Sequence, residues 1–409
     1  MISYVNFKMQ PDTLPNINLL IGGLKQSPDL TVYDINDLVK NFELPREIKY
    51  GLLLGIANFF NSDGSSDKDK SIQSLLELLE QLKDKNIVSK APIIPEEVKR
   101  RKIFSCIDIN KEYDGNTAFK LENISFDLFE GEITAVVGEN GNGKSTVCKI
   151  VAGLLKEDSG TLRYPIFQTD PEKLNWLSLK EKIIFLPQEL QKTNGSIEEN
   201  LIFEGRMAGI SVDQIEDVTQ FYIQRLGLHN YRYATWENLS GGYRLRFKLA
   251  LCLIKQPRLL ILDEPLGNLD IKAQAELLYD LRQLCNSRVN PLTLIITSQH
   301  IDEIEHIADN ILYIENGRAL LNCKISEIGE DGESCFELRS PSINSTILFE
   351  LFKPMGLVRT YMTNIGQAML FEKKISFYDV SKTLYKSNIP ISYLREITHS
   401  SKKVFYFGT

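Results

Sequence analysis

The stretch AVVGENGNGKSTVCKI (residues 135–150) sets three glycines, then a lysine and two hydroxyls, between two apolar runs. Glycine loses more backbone freedom on folding than alanine, so the geometry at this point must need it. Two geometries would: a plain turn from strand to helix, or a loop whose N–H groups converge on phosphate. The order Gly138, Glu139, Asn140, Gly141, Asn142, Gly143, Lys144, Ser145 satisfies G-x-x-x-x-G-K-[ST], after a predicted strand and before a predicted helix. In that setting the loop amides and the positive end of the helix favour the β- and γ-phosphates of a nucleotide. Lys144 adds a point charge to the same oxygens, the Ser145 hydroxyl can coordinate Mg²⁺, and Thr146 follows in the first helical turn.

Outward from the loop, RLLILDEP (residues 258–265) ends an apolar strand on Asp263 and Glu264. Two adjacent carboxylates at that depth are costly unless they serve a cation or a reaction. Beside a phosphate loop the first suits Mg²⁺, held through water, and the second can polarise an attacking water. Read apart from the loop, the same pair could cap a helix.

The flanking texture alternates. EITAVVG, KIIFLP, RLLILDEP and LTLIIT are short continuous apolar runs between helix-length segments, the pattern of buried parallel strands in an α/β layered core. Residues 336–409 suggest strands at FELRS, LVRTYMT, QAMLFEK and ISYLREI with helices near residues 343–352 and 377–386. That βαββαβ order points to a small α+β lobe of ferredoxin-like type. In the first hundred residues, LTVYDI looks strand-like, NSDGSSDKDK a polar loop, SIQSLLELLEQLKDKNIV a helix with leucines at spacings of three and four, and APIIPEEVKRR a linker. A small winged-helix fold is one reading of this region. It could then bind DNA or grip a peptide, or it could be an accessory packing domain.

Composition narrows the class. Hydrophobic residues make up 43% and charged residues 25%, as in an ordinary globular chain. A net charge of −7 speaks against a nucleic-acid partner held on a broad basic surface. The six cysteines lie far apart and read as reduced buried thiols, and the four histidines have no metal-ligand spacing. MISYVNFKMQ lacks the basic start and apolar core of a secretory signal, and YGLLLGIANFF is too short to span a bilayer.

NLSGGYRLR (residues 238–246) resembles the signature of ATP-binding cassette (ABC) ATPases, and it lies upstream of the acidic strand as in that family. Gln188 in FLPQE is similar to the Q-loop, GNLD ending at Asp270 to the D-loop, and His300 in TSQH to the switch histidine. Tyr113 stands where the family stacks an aromatic ring on adenine. The resemblance implies a P-loop NTPase core of ABC type with a helical subdomain. Around it are expected an N-terminal helical or winged-helix-like domain (1–100), the ATPase domain (101–325) and a C-terminal α+β lobe (326–409).

It further implies two such domains sandwiching two ATP molecules head to tail. Ser240, Gly241 and Gly242 of one copy would meet the γ-phosphate held by Lys144 of the other. Glu264 would be the general base and His300 the γ-phosphate clamp, with Mg²⁺ on Ser145, Asp263 and Gln188. The loop around Gln188 would also meet a transmembrane permease. Three positions depart from the family pattern: Tyr243 for glutamine, Leu266 for a small hydroxyl residue and Ile271 for proline. None of them touches phosphate or metal, so an active ATPase is expected.

SIEENLIFEGRMAGIS after the Q-loop resembles the helical insert of export-type members, and SSKKVF (residues 400–405) loosely resembles their tail. The function so implied is the ATPase subunit of a transporter, peripheral on the cytoplasmic membrane face, exporting a peptide, drug, lipid or glycan-type substrate. A soluble ABC ATPase that transports nothing is the alternative.

Overall fold

A computed structural model describes residues 17–26, 28, 31–32, 35, 38–39, 42–44, 46–61, 65–83, 88–89, 101–113, 119–165, 176–267, 269–286, 291–330 and 332–407. The linker APIIPEEVKR (residues 91–100) lies outside them.

The four apolar runs become β5 (Ile133–Val137), β7 (Ile183–Leu186), β8 (Leu259–Leu262) and β9 (Thr293–Ser298), all mutually parallel, with β10 (Asn310–Glu315) parallel to β5. β5, β8 and β9 are buried along their whole length, because helices cover both faces. The sheet continues through β11 (Arg318–Lys324), β4 (Lys120–Phe129), β3 (Lys102–Glu112) and β6 (Ser159–Arg163), in the order β6-β3-β4-β11-β10-β5-β9-β8-β7. The β3–β4, β3–β6 and β10–β11 pairs are antiparallel. The parallel strands end at one edge, and that edge carries the phosphate loop, Asp263, Glu264 and His300.

A helical subdomain leaves the core after β7. Helix Ile197–Met207 opens with a capping box, in which Ser196 accepts the Glu199 N–H and the Glu199 carboxylate accepts the Ser196 N–H at 2.9 Å. Helices Val212–Arg225 and Gly241–Leu253 pack with it.

The N-terminal region holds a short antiparallel pair, β1 (Phe42–Glu43) with β2 (Val88–Ser89), but departs from the strand expected at LTVYDI: Thr31, Val32 and Ile35 are helical. Together with Leu38 and Val39 they are buried at helical spacing, and their β-branched side chains had imitated a strand. The polar stretch NSDGSSDKDK is helical from Ser65 onward, because Asp67 sits in the first turn of helix Ser65–Glu80 and pairs with Lys70 at 2.9 Å. Gly51 and Gly55 face this helix. A Cβ on either would come within 3 Å of Leu78 or Leu75, so the two helices approach closely there. Helix Arg46–Asn61 lies along Val212–Arg225, and Leu52, Ile56, Phe221 and Tyr222 belong to one hydrophobic cluster.

The C-terminal residues form β12 (Ser334–Arg339), helix Ser345–Phe352, β13 (Leu357–Met362), β14 (Gln367–Phe371), helix Phe377–Lys386 and β15 (Tyr393–Glu396). Their antiparallel order β13-β14-β12-β15 is that of a ferredoxin-like sheet. Phe336, Leu338, Met369 and Phe371 pack under the two helices, while Cys335, Ala368 and Leu370 on the other face are covered by Phe407 of the last helix, Ser401–Phe407.

Candidate active site

Residues 138–143 connect β5 to helix Lys144–Val151. Gly138 has φ 158°, and a Cβ there would lie 2.2 Å from the Ile314 carbonyl oxygen. Gly143 caps the helix at φ 103°, where a Cβ would lie 2.6 Å from Leu121 and 2.7 Å from Phe119. The loop therefore runs close against β10 and β4 in a conformation that excludes side chains. Glu139, Asn140 and Gly141 are exposed at its crest, and the Asn142 Oδ1 accepts the Asn316 N–H at 3.2 Å.

Lys144 is only 4% exposed. Its Nζ donates to the carbonyls of Gly138 (2.7 Å) and Glu139 (3.2 Å) and lies 3.1 Å from Glu264 Oε1. A buried ammonium needs an anion, and here Glu264 supplies it. Behind the loop the Cys148 thiol is pushed well up, first by burial and then by nearby Asp263.

Asp263 is 5% exposed. Thr297, fully buried on the adjacent strand, donates its hydroxyl to Asp263 Oδ1 and accepts the Glu264 N–H, both at 2.8 Å. Glu264 sits in the left-handed backbone region, φ 48°, a costly conformation for a side-chain-bearing residue and one that clusters at functional sites. Gln188 Nε2 (3.0 Å) and Gln299 Nε2 (2.9 Å) both donate to its Oε2. One carboxylate is thus held by the phosphate loop, the loop after β7 and the turn after β9.

The chain brings Lys144, Asp263, Glu264 and Gln188 together, with Ser145 and Thr146 half-buried in the first helical turn. The Tyr113 hydroxyl lies 3.2 Å from Thr146 Oγ1, with the ring 38% exposed beside the loop. The His300 ring is exposed at the N-cap of the short helix Ile301–Ile304. Ser240, Gly241 and Gly242 start helix Gly241–Leu253. Ser240 is exposed, its hydroxyl makes no capping bond, and no hydrogen bond joins the three to the loop. Asp270 accepts the Ala273 N–H at 2.9 Å as a helix cap. Of the three departures from the family pattern, Tyr243 packs its ring at a 40° tilt against Tyr231, Leu266 is buried and Ile271 is 86% exposed.

Sequence reasoning missed Thr297 and Gln299. LTLIIT carries two hydroxyls in an otherwise apolar run, and the one that ends it was the available signal for Thr297, since a buried hydroxyl must find a partner.

No cluster of three carboxylate, histidine or cysteine side chains able to hold a metal occurs among the described residues. Only Oδ1 of Asp263 is taken up by Thr297, which suits an ion drawing most of its ligands from phosphate and water. No helix among the described residues is long and apolar enough to cross a membrane. Between β7 and helix Ile197–Met207 lies a groove of about 690 Å³ bordered by Leu154, Phe185, Phe203 and Met207, with Lys180, Lys182 and Lys255 around it.

A family model described as ABC transporter matches residues 121–267. The chain is 31% identical over 236 residues to the energy-coupling factor transporter ATP-binding protein EcfA1 of Levilactobacillus brevis, covering 58% of this chain and 84% of the relative. It is 30% identical over 246 residues to the linearmycin resistance ATP-binding protein LnrL of Bacillus subtilis, covering 59% and 76%. Among solved structures, cbiO1 from Clostridium perfringens, part of the ABC transporter complex cbiONQ, aligns with a TM-score of 0.48 at 27% identity over 55% of this chain and 88% of that one. With its phosphate loop, paired acids and signature in one α/β core, the chain belongs to the ABC transporter family, as an ATP-binding and ATP-hydrolysing subunit.

Proposed function

We propose that two copies close head to tail over two ATP molecules, and that each chain divides into an accessory domain (1–100), the ATPase (101–325) and a C-terminal lobe (326–409). Ser240, Gly241 and Gly242 make no hydrogen bond to the loop of their own copy, and the Ser240 hydroxyl, uncommitted at a helix N-terminus, suits a γ-phosphate presented by another copy. The exposed Ile271, next to Asp270 of the D-loop, would be covered by the same closure.

The observation that carries the mechanism is the set of contacts on Glu264. Lys144 leaves Glu264 for the β- and γ-phosphates when ATP enters, which frees the carboxylate. Gln188 and Gln299 keep it oriented while it accepts a proton from the water attacking the γ-phosphorus. His300 contacts the γ-phosphate, Tyr113 stacks on the adenine, and Thr146 and the loop amides bind phosphate oxygens. Mg²⁺ would be held by Ser145, Asp263 and Gln188 and would neutralise charge on the transferred group. Glu264→Gln should leave ATP affinity within about twofold and lower turnover by at least about a hundredfold. Unchanged turnover would discard the base assignment.

The partner in this reading is a membrane permease whose cytoplasmic helix lays an apolar face into the groove between β7 and helix Ile197–Met207, and the subunit then sits peripherally at the cytoplasmic face. Support for export comes from the helix after the Q-loop, the C-terminal lobe and the resistance-linked relative. The energy-coupling factor relative gives export no support, so cargo and direction are decided by experiment: ATP-driven movement of a labelled substrate in vesicles carrying the permease. The comparisons give the peptide-ligand idea for the N-terminal domain no support, and its contact with helix Val212–Arg225 favours the accessory packing role.

A further inference from the structure

The last helix, Ser401–Phe407, touches the two parts of the molecule that must communicate if the C-terminal lobe is to affect catalysis. On one side it covers the lobe's sheet: the buried Glu337 of β12 accepts the Tyr406 hydroxyl at 3.3 Å and lies 3.9 Å from Lys402 Nζ. On the other side it grips the turn that follows the switch histidine. Glu305, the C-cap of Ile301–Ile304, accepts the Ser400 hydroxyl at 3.0 Å and the Ser401 N–H at 2.5 Å. Lys402 Nζ lies 2.8 Å from Asp302.

The turn's other end is tied by Ser298, whose hydroxyl accepts the His300 N–H at 2.9 Å and donates to Glu303 at 2.7 Å. A single helical turn has little stability of its own, so its placement depends on these anchors. The His300 ring projects from it, exposed.

We propose that the last helix is a clamp that positions His300, with Glu305 as the positioning residue through which it acts. A shift of the lobe pulls on Glu305 and Asp302 and so moves the imidazole relative to the γ-phosphate. The lobe thereby sets the hydrolysis rate while leaving nucleotide affinity alone. This rests on the role given to His300 above.

The test is a double-mutant cycle on the full chain, read as phosphate release and nucleotide binding. Glu305→Ala should lower kcat by roughly five- to tenfold, on the scale of one lost charge-assisted hydrogen bond, with KM for ATP unchanged. Ser400→Ala, a milder change, should move kcat in the same direction. In a His300→Ala background Glu305→Ala should cost less than about twofold more, because the two act as a unit. Lys403→Met breaks a pair of the same helix with Glu333, at 3.1 Å, that does not touch the turn, so it should weaken folding yet spare kcat.

Additive losses from His300→Ala and Glu305→Ala, or equal kcat losses from Lys403→Met and Glu305→Ala, would show a structural contact only and overturn the clamp. If His300→Ala itself leaves turnover intact, the assignment of His300 fails, and the clamp with it. If His300→Ala impairs turnover but Glu305→Ala does not, the clamp alone fails.

Discussion

Replacing Thr297 by valine keeps the shape of a fully buried β9 residue and removes one hydroxyl. That hydroxyl holds both acids, through Asp263 Oδ1 and the Glu264 N–H, each at 2.8 Å. A hydrogen bond to a charged group contributes about 1.5–3 kcal/mol, and a buried amide left unpaired costs about 1–3 kcal/mol. The two share an atom and do not simply add, so a loss of about 3 kcal/mol follows. For a domain of this size that lowers the melting midpoint by about 6–12 °C. Catalysis should suffer separately, because Glu264 is placed through its own backbone N–H; a small misplacement of a catalytic group can cost about a hundredfold. The assay pairs thermal unfolding with phosphate release under saturating Mg-ATP. Thr297→Ser, which keeps the hydroxyl, should recover most of both. A valine variant with wild-type midpoint and turnover would refute the reasoning.

Two further outcomes are expected. Gly138→Ala would push a Cβ to 2.2 Å from the Ile314 carbonyl, a backbone atom that cannot rotate away; fluorescent-nucleotide binding should weaken by at least about tenfold, and wild-type affinity would show the loop to be looser than described. Burial pushes the Cys106, Cys252 and Cys335 thiols up to about 12. The unfolded chain ionises these thiols first, so their contribution is complete below about pH 8.5 and is lost as pH rises toward 12, by up to about 1.4 kcal/mol per pH unit for each thiol. Denaturant midpoints at pH 8 and pH 10.5 check this, and equal midpoints would contradict it.

Much of the site was legible because its chemistry is local in sequence. Gly138 to Ser145 form one loop, and Asp263 and Glu264 end one strand. Continuous apolar runs such as LLIL could bury themselves only between two helical layers. Contacts across the fold were harder to read. Gln299 reaches Glu264 from a neighbouring strand end, and nothing in TSQH distinguishes it from an exposed polar residue. The loose resemblance of SSKKVF to an export-type tail says nothing of its two lysines, which are buried because Asp302, Glu333 and Glu337 come to meet them from other elements. At Thr31 and Val32, β-branched residues outweighed a helical burial period that shows only when Ile35, Leu38 and Val39 are counted with them. The two flanking regions contact different elements of the core: helix Arg46–Asn61 lies on Val212–Arg225, and the C-terminal helix reaches the turn after His300.

The composite ATP site is tested most directly by a crystal or cryo-electron structure of the Glu264→Gln protein with Mg-ATP. The account predicts a head-to-tail pair holding two nucleotides, each γ-phosphate between Lys144 of one copy and Ser240 of the partner subunit. A single copy with ATP fully enclosed by its own residues, or a pair joined through another face, would contradict it.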